Sequence, residues 1–174
     1  MIIFKIISKF IKALRSHDSP SQIAWGITLG TILGLTPFFT VHNFILIILI
    51  ILIKVNLSAV VFSLILYSLL GYFLDPVFHA IGFTLLVSFD FLQPVWVWLY
   101  NLPVAPFTRF NNTVVIGSLV CALIFLVPHY LLFKQLVVNY RTSWNTQIKK
   151  WKIIRMLQGN KLVQFYFKLR DWRG

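Results

Sequence analysis

Acidic residues are almost absent from this chain of 174 residues. It has four, all of them aspartate, against 16 lysines and arginines, and it has no glutamate. Only 11% of the residues are charged and 59% are hydrophobic, which is more apolar material than a soluble domain of this size can bury. The composition therefore argues against an ordinary soluble protein and predicts an integral membrane protein.

Cysteine and the common catalytic motifs are lacking too. The single thiol, Cys121, lies in an apolar run, which excludes an internal disulfide and most thiolate metal sites. The sequence contains no phosphate-binding glycine loop followed by lysine, no paired carboxylate set, no serine elbow and no HExxH motif. We therefore expect no enzyme activity, no metal site and no cofactor.

The positive charge that is present lies at the two ends of the chain. Four basic residues precede the first apolar segment, and ten lie between Lys134 and Arg173. Because flanking positive charge marks cytoplasmic ends, both termini are expected in the cytoplasm, with an even number of crossings. Nucleic acid is not expected as a partner, since no recognisable binding module accompanies the charge.

Basic amphipathic helices are predicted in both terminal segments, residues 1–18 and residues 134–174. In each segment apolar residues recur at helical spacing and lysines or arginines occupy the opposite face. Such helices lie on a membrane surface and contact anionic headgroups; docking of an acidic cytoplasmic partner is the alternative for the tail. The expected headgroup contacts are Lys5, Lys9, Lys12, Lys149, Lys150, Lys152 and Arg155.

Between the termini the chain shows two similar halves, residues 19–74 and 75–133. SPSQIAWGITL, from Ser19, and DPVFHAIGFTL, from Asp75, share proline, alanine, glycine, threonine and leucine at an offset of 56 residues, which also carries Asn56 onto Asn112. Chance matching is the alternative in so apolar a chain. A duplication predicts two inverted repeats, each a helical hairpin plus a spanning helix.

The first half is predicted to begin with two short helices, residues 21–36 and 38–53, which Pro37 separates. Ser19 is the expected N-cap of the first helix, with Pro20 in the first helical position. Each helix rises roughly 24 Å, short of a hydrocarbon core of about 30 Å. The pair therefore predicts a re-entrant hairpin, with two tilted full crossings as the alternative. Spanning helices are expected over residues 57–74 and 113–133, the first ending outside at Asp75 and Pro76, before a second hairpin over residues 77–100.

Glycine spacing predicts close helix packing. Gly26, Gly30 and Gly34 recur every four residues and so lie on one helical face, where another backbone can approach closely. Gly82 corresponds to Gly26 in the second half. A path for substrate along this face is the alternative.

Polar residues near the proline-marked turns are candidates for a substrate path, because a polar or ionisable group within hydrocarbon is costly. As alternatives, His42 stabilises its turn by a hydrogen bond and Asp75 caps a helix. His17 and His129 are expected at the membrane edges without a special role. The candidate path residues are Thr36, Pro37, His42, Asn43, Asp75, His79 and Gln93.

The stretch GITLGTILGLTPFFTVHN, with the Asn56-Leu57 pair after a basic residue, resembles a known family. That family is the domain of unknown function twenty sixty-two, comprising bacterial multi-pass inner-membrane proteins, and the resemblance runs from about Ser19 to Pro76. This chain departs from the family pattern at Thr40, where glycine is common, and at Ser58, where proline is common. The resemblance implies a bacterial inner-membrane location. Some relatives look to be joined to glycosyltransferase domains, which implies envelope glycan or lipid metabolism.

The function expected from these features is moving or handling an anionic envelope lipid, or a small solute, through a hairpin core. The alternative is a non-transporting membrane anchor or scaffold for an envelope-biogenesis partner. So short a chain builds a thin wall around any path, so a homodimer or an envelope-protein partner is expected. Convergence of Thr36, His42, Asp75 and Gln93 on one cavity would favour transport, and their dispersal would favour the anchor.

Overall fold

The computed structural model describes residue 8 and residues 10–14 and 16–144 of the chain. These residues form helices and short connections and contain no strand, so the expected all-α class is confirmed for this part of the chain. The chain divides after Val137 into two compact units, and the second is described only as far as Trp144.

Helices α1, Pro20–Leu35, and α2, Val41–Leu52, are joined by a turn over residues 36–40. A capping box starts α1: the Ser19 hydroxyl accepts from the Gln22 N–H at 3.2 Å, and the Gln22 side chain accepts from the Ser19 N–H at 2.8 Å. After α2 the chain is back beside the first turn of α1, where the Asn56 N–H donates to the Gln22 carbonyl at 3.2 Å. The two ends of this helical pair therefore lie together.

Two longer helices follow, α3, Leu57–Phe83, and α5, Thr113–Asn139. Each continues into a π-helical turn, and the runs Leu57–Ser88 and Thr113–Thr142 are long and apolar enough to cross a membrane. The helix end expected at Asp75 and Pro76 is wrong, because α3 passes through both residues, and Asp75 is therefore not a helix cap. A proline inside a helix removes one ladder hydrogen bond, and long apolar helices tolerate it where neighbouring groups compensate.

Short pieces connect the two long helices. They are 3-10 turns at Asp90–Leu92 and Ala105–Thr108 and the helix α4, Gln93–Tyr100. Arg109 adopts the left-handed conformation, with φ 57°, after the second turn. The second hairpin expected over residues 77–100 differs from the prediction in its first arm, which is continuous with α3 and the turn Thr84–Ser88. The helical run breaks at Phe89, before the expected turn, and α4 packs back on its end through a hydrogen bond from the Trp96 indole N–H to the Leu85 carbonyl at 3.0 Å.

Three glycines of α1 set its direction relative to α3. An added Cβ at Gly26 would lie 2.6 Å from the Asn56 carbonyl oxygen, and one at Gly34 would lie 2.7 Å from that of Leu64. Gly30, between them, meets the Val60 carbonyl in the same way. The contacts advance together along both helices, so α1 and α3 run parallel and approach backbone to backbone.

The crossing of α3 and α5 has the opposite sense. Gly82 lies against the backbone of Thr113, and Gly117 lies against the backbone of Phe78. These contacts run in reverse order, so α5 is antiparallel to α3. An inverted repeat would require the same relative direction in both halves, and the packing of these helices does not show it.

The buried core is small and lies among α1, α2, α3 and α5. Many large apolar side chains lie on the exterior instead: the exposed fraction is 77% at Leu52, 72% at Phe73 and 66% at Ile124. Phe10, in the helical residues 10–14, stacks on Phe62 at 3.9 Å between ring centroids. The buried hydrophobic residues of the two core clusters are Leu29, Ile32, Leu33, Ile50, Val60 and Ala122, and Ile23, Ile27, Ala59 and Val137.

Candidate functional site

A polar cluster lies where α1, α3 and α5 meet, around the imidazole ring of His129. Nδ1 is 3.2 Å from the Thr28 hydroxyl, and Nε2 is 3.0 Å from the Tyr67 hydroxyl and 3.4 Å from the Thr31 hydroxyl. Both threonines are buried. We call these four residues the His129 cluster; it joins three helices through hydroxyl and imidazole groups.

The cluster has hydrogen-bonding groups of both kinds. The Thr31 hydroxyl donates to the Ile27 carbonyl at 2.9 Å, so towards His129 it can only accept. A neutral imidazole supplies one N–H donor and one acceptor nitrogen. The hydroxyls of Thr28, at Nδ1, and Tyr67, at Nε2, can each donate or accept, so they fit either position of the ring proton. The contacts are thus satisfied without an ionised partner.

An apolar cavity of about 470 Å³ adjoins the His129 cluster, and all four cluster residues line it. Its other walls are mainly aliphatic and aromatic side chains of α3 and α5, among them Phe78, Ile81 and Ala122. No lysine, arginine, aspartate or glutamate is among its described lining residues. Val77 and Phe125 line the cavity and are 52% and 63% exposed, so the cavity opens on the outer surface of the helices.

Sequence reasoning gave His129 no role. Its hydroxyl partners lie 62 to 101 residues away in the chain, and such tertiary pairing leaves no local pattern. The signal that was available is the pair Thr28 and Thr31, which lie at helical spacing in an otherwise apolar segment.

The turn between α1 and α2 is held by a buried amide. Asn43 is fully buried, and its Nδ2 donates to the Pro37 carbonyl at 3.0 Å and to the Phe38 carbonyl at 3.3 Å. Its Oδ1 accepts from the Thr36 hydroxyl at 2.9 Å. His42 contacts the Thr40 hydroxyl at 3.0 Å within the same turn. The arrangement closes the turn upon itself.

The remaining candidate path residues are dispersed. Asp75 shares a depression of about 340 Å³ with Thr36 and Pro37. His79 is outside it and contacts the Thr113 hydroxyl at 2.7 Å, while the Gln93 amide donates to the Leu86 carbonyl at 2.7 Å. The turn and Asp75 therefore share a surface, whereas His42, His79 and Gln93 do not line it.

Possible metal ligands and headgroup contacts are few among the described residues. Across the part of the chain that the structure describes, no group of three histidine, cysteine or acidic residues is placed to hold a metal ion. Lys12 is exposed. The other expected headgroup contacts, Lys5, Lys9, Lys149, Lys150, Lys152 and Arg155, lie outside the described residues.

The fold and site together define a small helical protein with two helices of membrane-spanning length and an apolar cavity ending in a polar cluster. The chain belongs to the family described as "Uncharacterized protein conserved in bacteria (DUF2062)", which matches residues 5–145. The family resemblance of residues 19–76 is thus confirmed, and the match covers a longer stretch.

The chain is also similar to an uncharacterized protein of Treponema pallidum (strain Nichols). It is 26% identical over 138 residues, which cover 79% of this chain and 85% of the relative. No solved structure matches the chain.

Proposed function

We propose that this protein is a multi-pass protein of the bacterial inner membrane, that α3 and α5 span the bilayer, and that the α1–α2 pair enters from and returns to the cytoplasmic side. The carrying observation is the outward-facing apolar surface of the long helices, including Phe73 and Ile124. In water such contiguous exposure is unfavourable at about 25 cal/mol per Å². In lipid it is the ordinary surface of a helix.

Basic residues and helix crossings support this placement. Phe133, just before Lys134, packs against the buried cluster that contains Ala59, near the start of α3, and at the other end Thr113 lies against Gly82. From Ala59 to Gly82 a helix rises about 35 Å, close to a hydrocarbon core of about 30 Å. Positive charge at Lys54 and Lys134 then falls on the cytoplasmic side.

The topology is tested with single cysteines in a background in which Cys121 is replaced by alanine. We expect Asn101→Cys to react with a membrane-impermeant maleimide in intact spheroplasts, and Ser143→Cys to react only after the inner membrane is permeabilised. Labelling of both from the same side would overturn the placement.

Within the membrane, the proposed activity is the handling of an envelope lipid whose apolar chain occupies the cavity. The support is chemical: the cavity is lined chiefly by apolar side chains and opens where Val77 and Phe125 face the surroundings. Its described lining contains no cation, so an anionic headgroup would be attracted by basic residues at the cytoplasmic end, such as Lys54 and Lys134.

Leaflet exchange of a fluorescent polyprenyl phosphate or phospholipid in liposomes tests whether handling includes transport. Faster exchange with the purified full chain than in empty liposomes would support a carrier. If the protein binds the lipid but does not accelerate its exchange, the result would support the second candidate, a non-transporting anchor or scaffold.

The second candidate is favoured by one observation, the dispersal of the expected path residues: Asp75 and Thr36 share a depression that His42 and Gln93 do not line. An anchor predicts a stable protein partner. Cross-linking in native membranes followed by mass spectrometry would find the same envelope protein attached in independent preparations, and a chain recovered only with itself or with lipid would count against it.

A further inference from the structure

We propose that the His129 cluster binds the neutral hydroxyl end of a long-chain alcohol, the class that includes diacylglycerols and prenols, while the apolar cavity holds its chain. This rests on the proposed function, since it takes the cavity to be occupied by a lipid chain. It goes further by naming the chemistry of the polar end and the residues that recognise it.

The geometry places recognition and chain binding side by side. Thr28, Thr31, Tyr67 and His129 all line the same cavity as Val77 and the other apolar residues. From Tyr67 to Ile81 along α3 the rise is about 21 Å. A bound molecule therefore has its polar end at the cluster and its chain directed towards the crossing of α3 with α5.

The hydrogen-bonding chemistry favours a hydroxyl. An alcohol both donates and accepts, and the cluster contains an imidazole and hydroxyl oxygens that do the same. Tyr67 lies 3.0 Å from Nε2 and is the cluster member contributed by α3, so its hydroxyl can exchange a partner in the cluster for one on a ligand. An alkane cannot take that partner, so it would leave the hydrogen bonds within the cluster as they are.

The charge distribution disfavours an anion at this position. A phosphate or carboxylate would be buried beside apolar side chains without a lysine or arginine among the described lining residues. Burying an ionised group without a counter-charge is strongly unfavourable, far more than burying a hydroxyl that is hydrogen-bonded. The anionic lipid expected from the sequence is thus disfavoured as the ligand at the cluster.

The direction of the bound chain fits a lipid of the cytoplasmic leaflet. His129 lies five residues before Lys134 in α5, so the cluster is near the Lys134 end of that helix. The hydrocarbon chain of the ligand is directed away from that end. In the proposed topology this is the orientation of a leaflet lipid, with the polar end towards the cytoplasm and the hydrocarbon towards the outer side. Entry requires no inversion of the molecule.

The test uses the full-length protein in nanodiscs and compares three probes with hydrocarbon tails of equal length: hexadecanol, hexadecyl phosphate and hexadecane. Each competes with a photoreactive diazirine analogue of hexadecanol, and cross-linking is read by mass spectrometry. We expect hexadecanol to compete about tenfold better than hexadecane, the effect of about one well-made hydrogen bond to a buried group. It should exceed hexadecyl phosphate by at least as much, because the ionised phosphate would be buried without a counter-charge. Better competition by hexadecyl phosphate, or equal competition by hexadecane, overturns the inference.

The matched pair Tyr67→Phe and Tyr72→Phe identifies the site. Both remove one phenolic hydroxyl from α3, but Tyr72 is 77% exposed and does not line the cavity. We expect Tyr67→Phe to reduce the preference for hexadecanol over hexadecane to less than about threefold, with Tyr72→Phe equal to the wild type. An unchanged preference in Tyr67→Phe overturns the assignment. If that variant does not fold, the wild-type ranking of the three probes still decides.

Failure of this inference is distinguishable from failure of the proposed function. If the alcohol and the alkane compete equally, the cavity holds chains and only the recognition of the hydroxyl is wrong. If no probe prevents cross-linking, or no cross-link forms near Phe125, the cavity does not hold lipid, and both this inference and the proposed lipid handling fail.

Discussion

Replacing Gly30 by alanine is expected to destabilise the pairing of α1 with α3. The added methyl group would meet the Val60 carbonyl oxygen and would lie 2.9 Å from the Ser63 Cβ. The nearest atom belongs to the backbone, so the helices must move apart. Overpacking of this kind costs about 1–3 kcal/mol.

Two effects determine the net size. Alanine gains about 1 kcal/mol over glycine in helix propensity in water, but a chain unfolded within lipid stays helical, so less of this gain is realised. A net loss of about 1–2 kcal/mol is expected, which corresponds to a fall in Tm of about 2–8 °C for a chain of this size.

The assay is thermal unfolding of the purified chain in a mild detergent, followed by size-exclusion chromatography with fluorescence detection. Gly71→Ala is the control, since its added Cβ would lie 3.3 Å from the Gly34 carbonyl oxygen and 3.5 Å from the Leu35 Cα. Its Tm should stay within about 2 °C of the wild type. A Gly30→Ala variant as stable as wild type, or more stable than Gly71→Ala, would refute the close crossing.

Three further changes probe other parts of the fold by the same assay. Asn43→Ala removes the amide that closes the turn, and should cost about 1–3 kcal/mol by leaving buried polar groups unpaired, whereas Asn101→Ala, at an exposed amide, should not. Asn56→Ala removes the cap bond to the Ala59 N–H at 2.8 Å and should cost about 1 kcal/mol. Gly117→Ala places a methyl group against the Phe78 carbonyl and should cost about 1–3 kcal/mol; a variant as stable as wild type contradicts the crossing of α3 and α5.

Local rules predicted the start of the fold well. Ser19 and Pro20 begin α1 because their chemistry satisfies a helix N-terminus without help from the rest of the chain. The spacing of Gly26, Gly30 and Gly34 indicated a close helix contact, and the structure supplies α3 as the neighbour. Such features depend only on residues within a few turns of one another.

Features that depend on tertiary surroundings were missed. Pro76 indicated the end of a helix, yet α3 continues through it, since a helix in contact with neighbours tolerates one missing hydrogen bond. His129 was assigned no role because Tyr67 and the threonines approach it only when three helices assemble. The sequence match between the halves did not predict that α1 packs parallel to α3 whereas α5 packs antiparallel to it. The direction of a helix depends on where the connection before it ends.

The parallel contact between α1 and α3 has a consequence for biosynthesis. Gly26 meets the carbonyl of Asn56, about thirty residues later in the chain. While a ribosome extends the polypeptide, the grooved side of the first helix has no neighbour until that later segment emerges. The packing of α1 is therefore completed only after residues 56–64 have been made, and a nascent chain that stops before them would leave the glycine face of α1 uncovered.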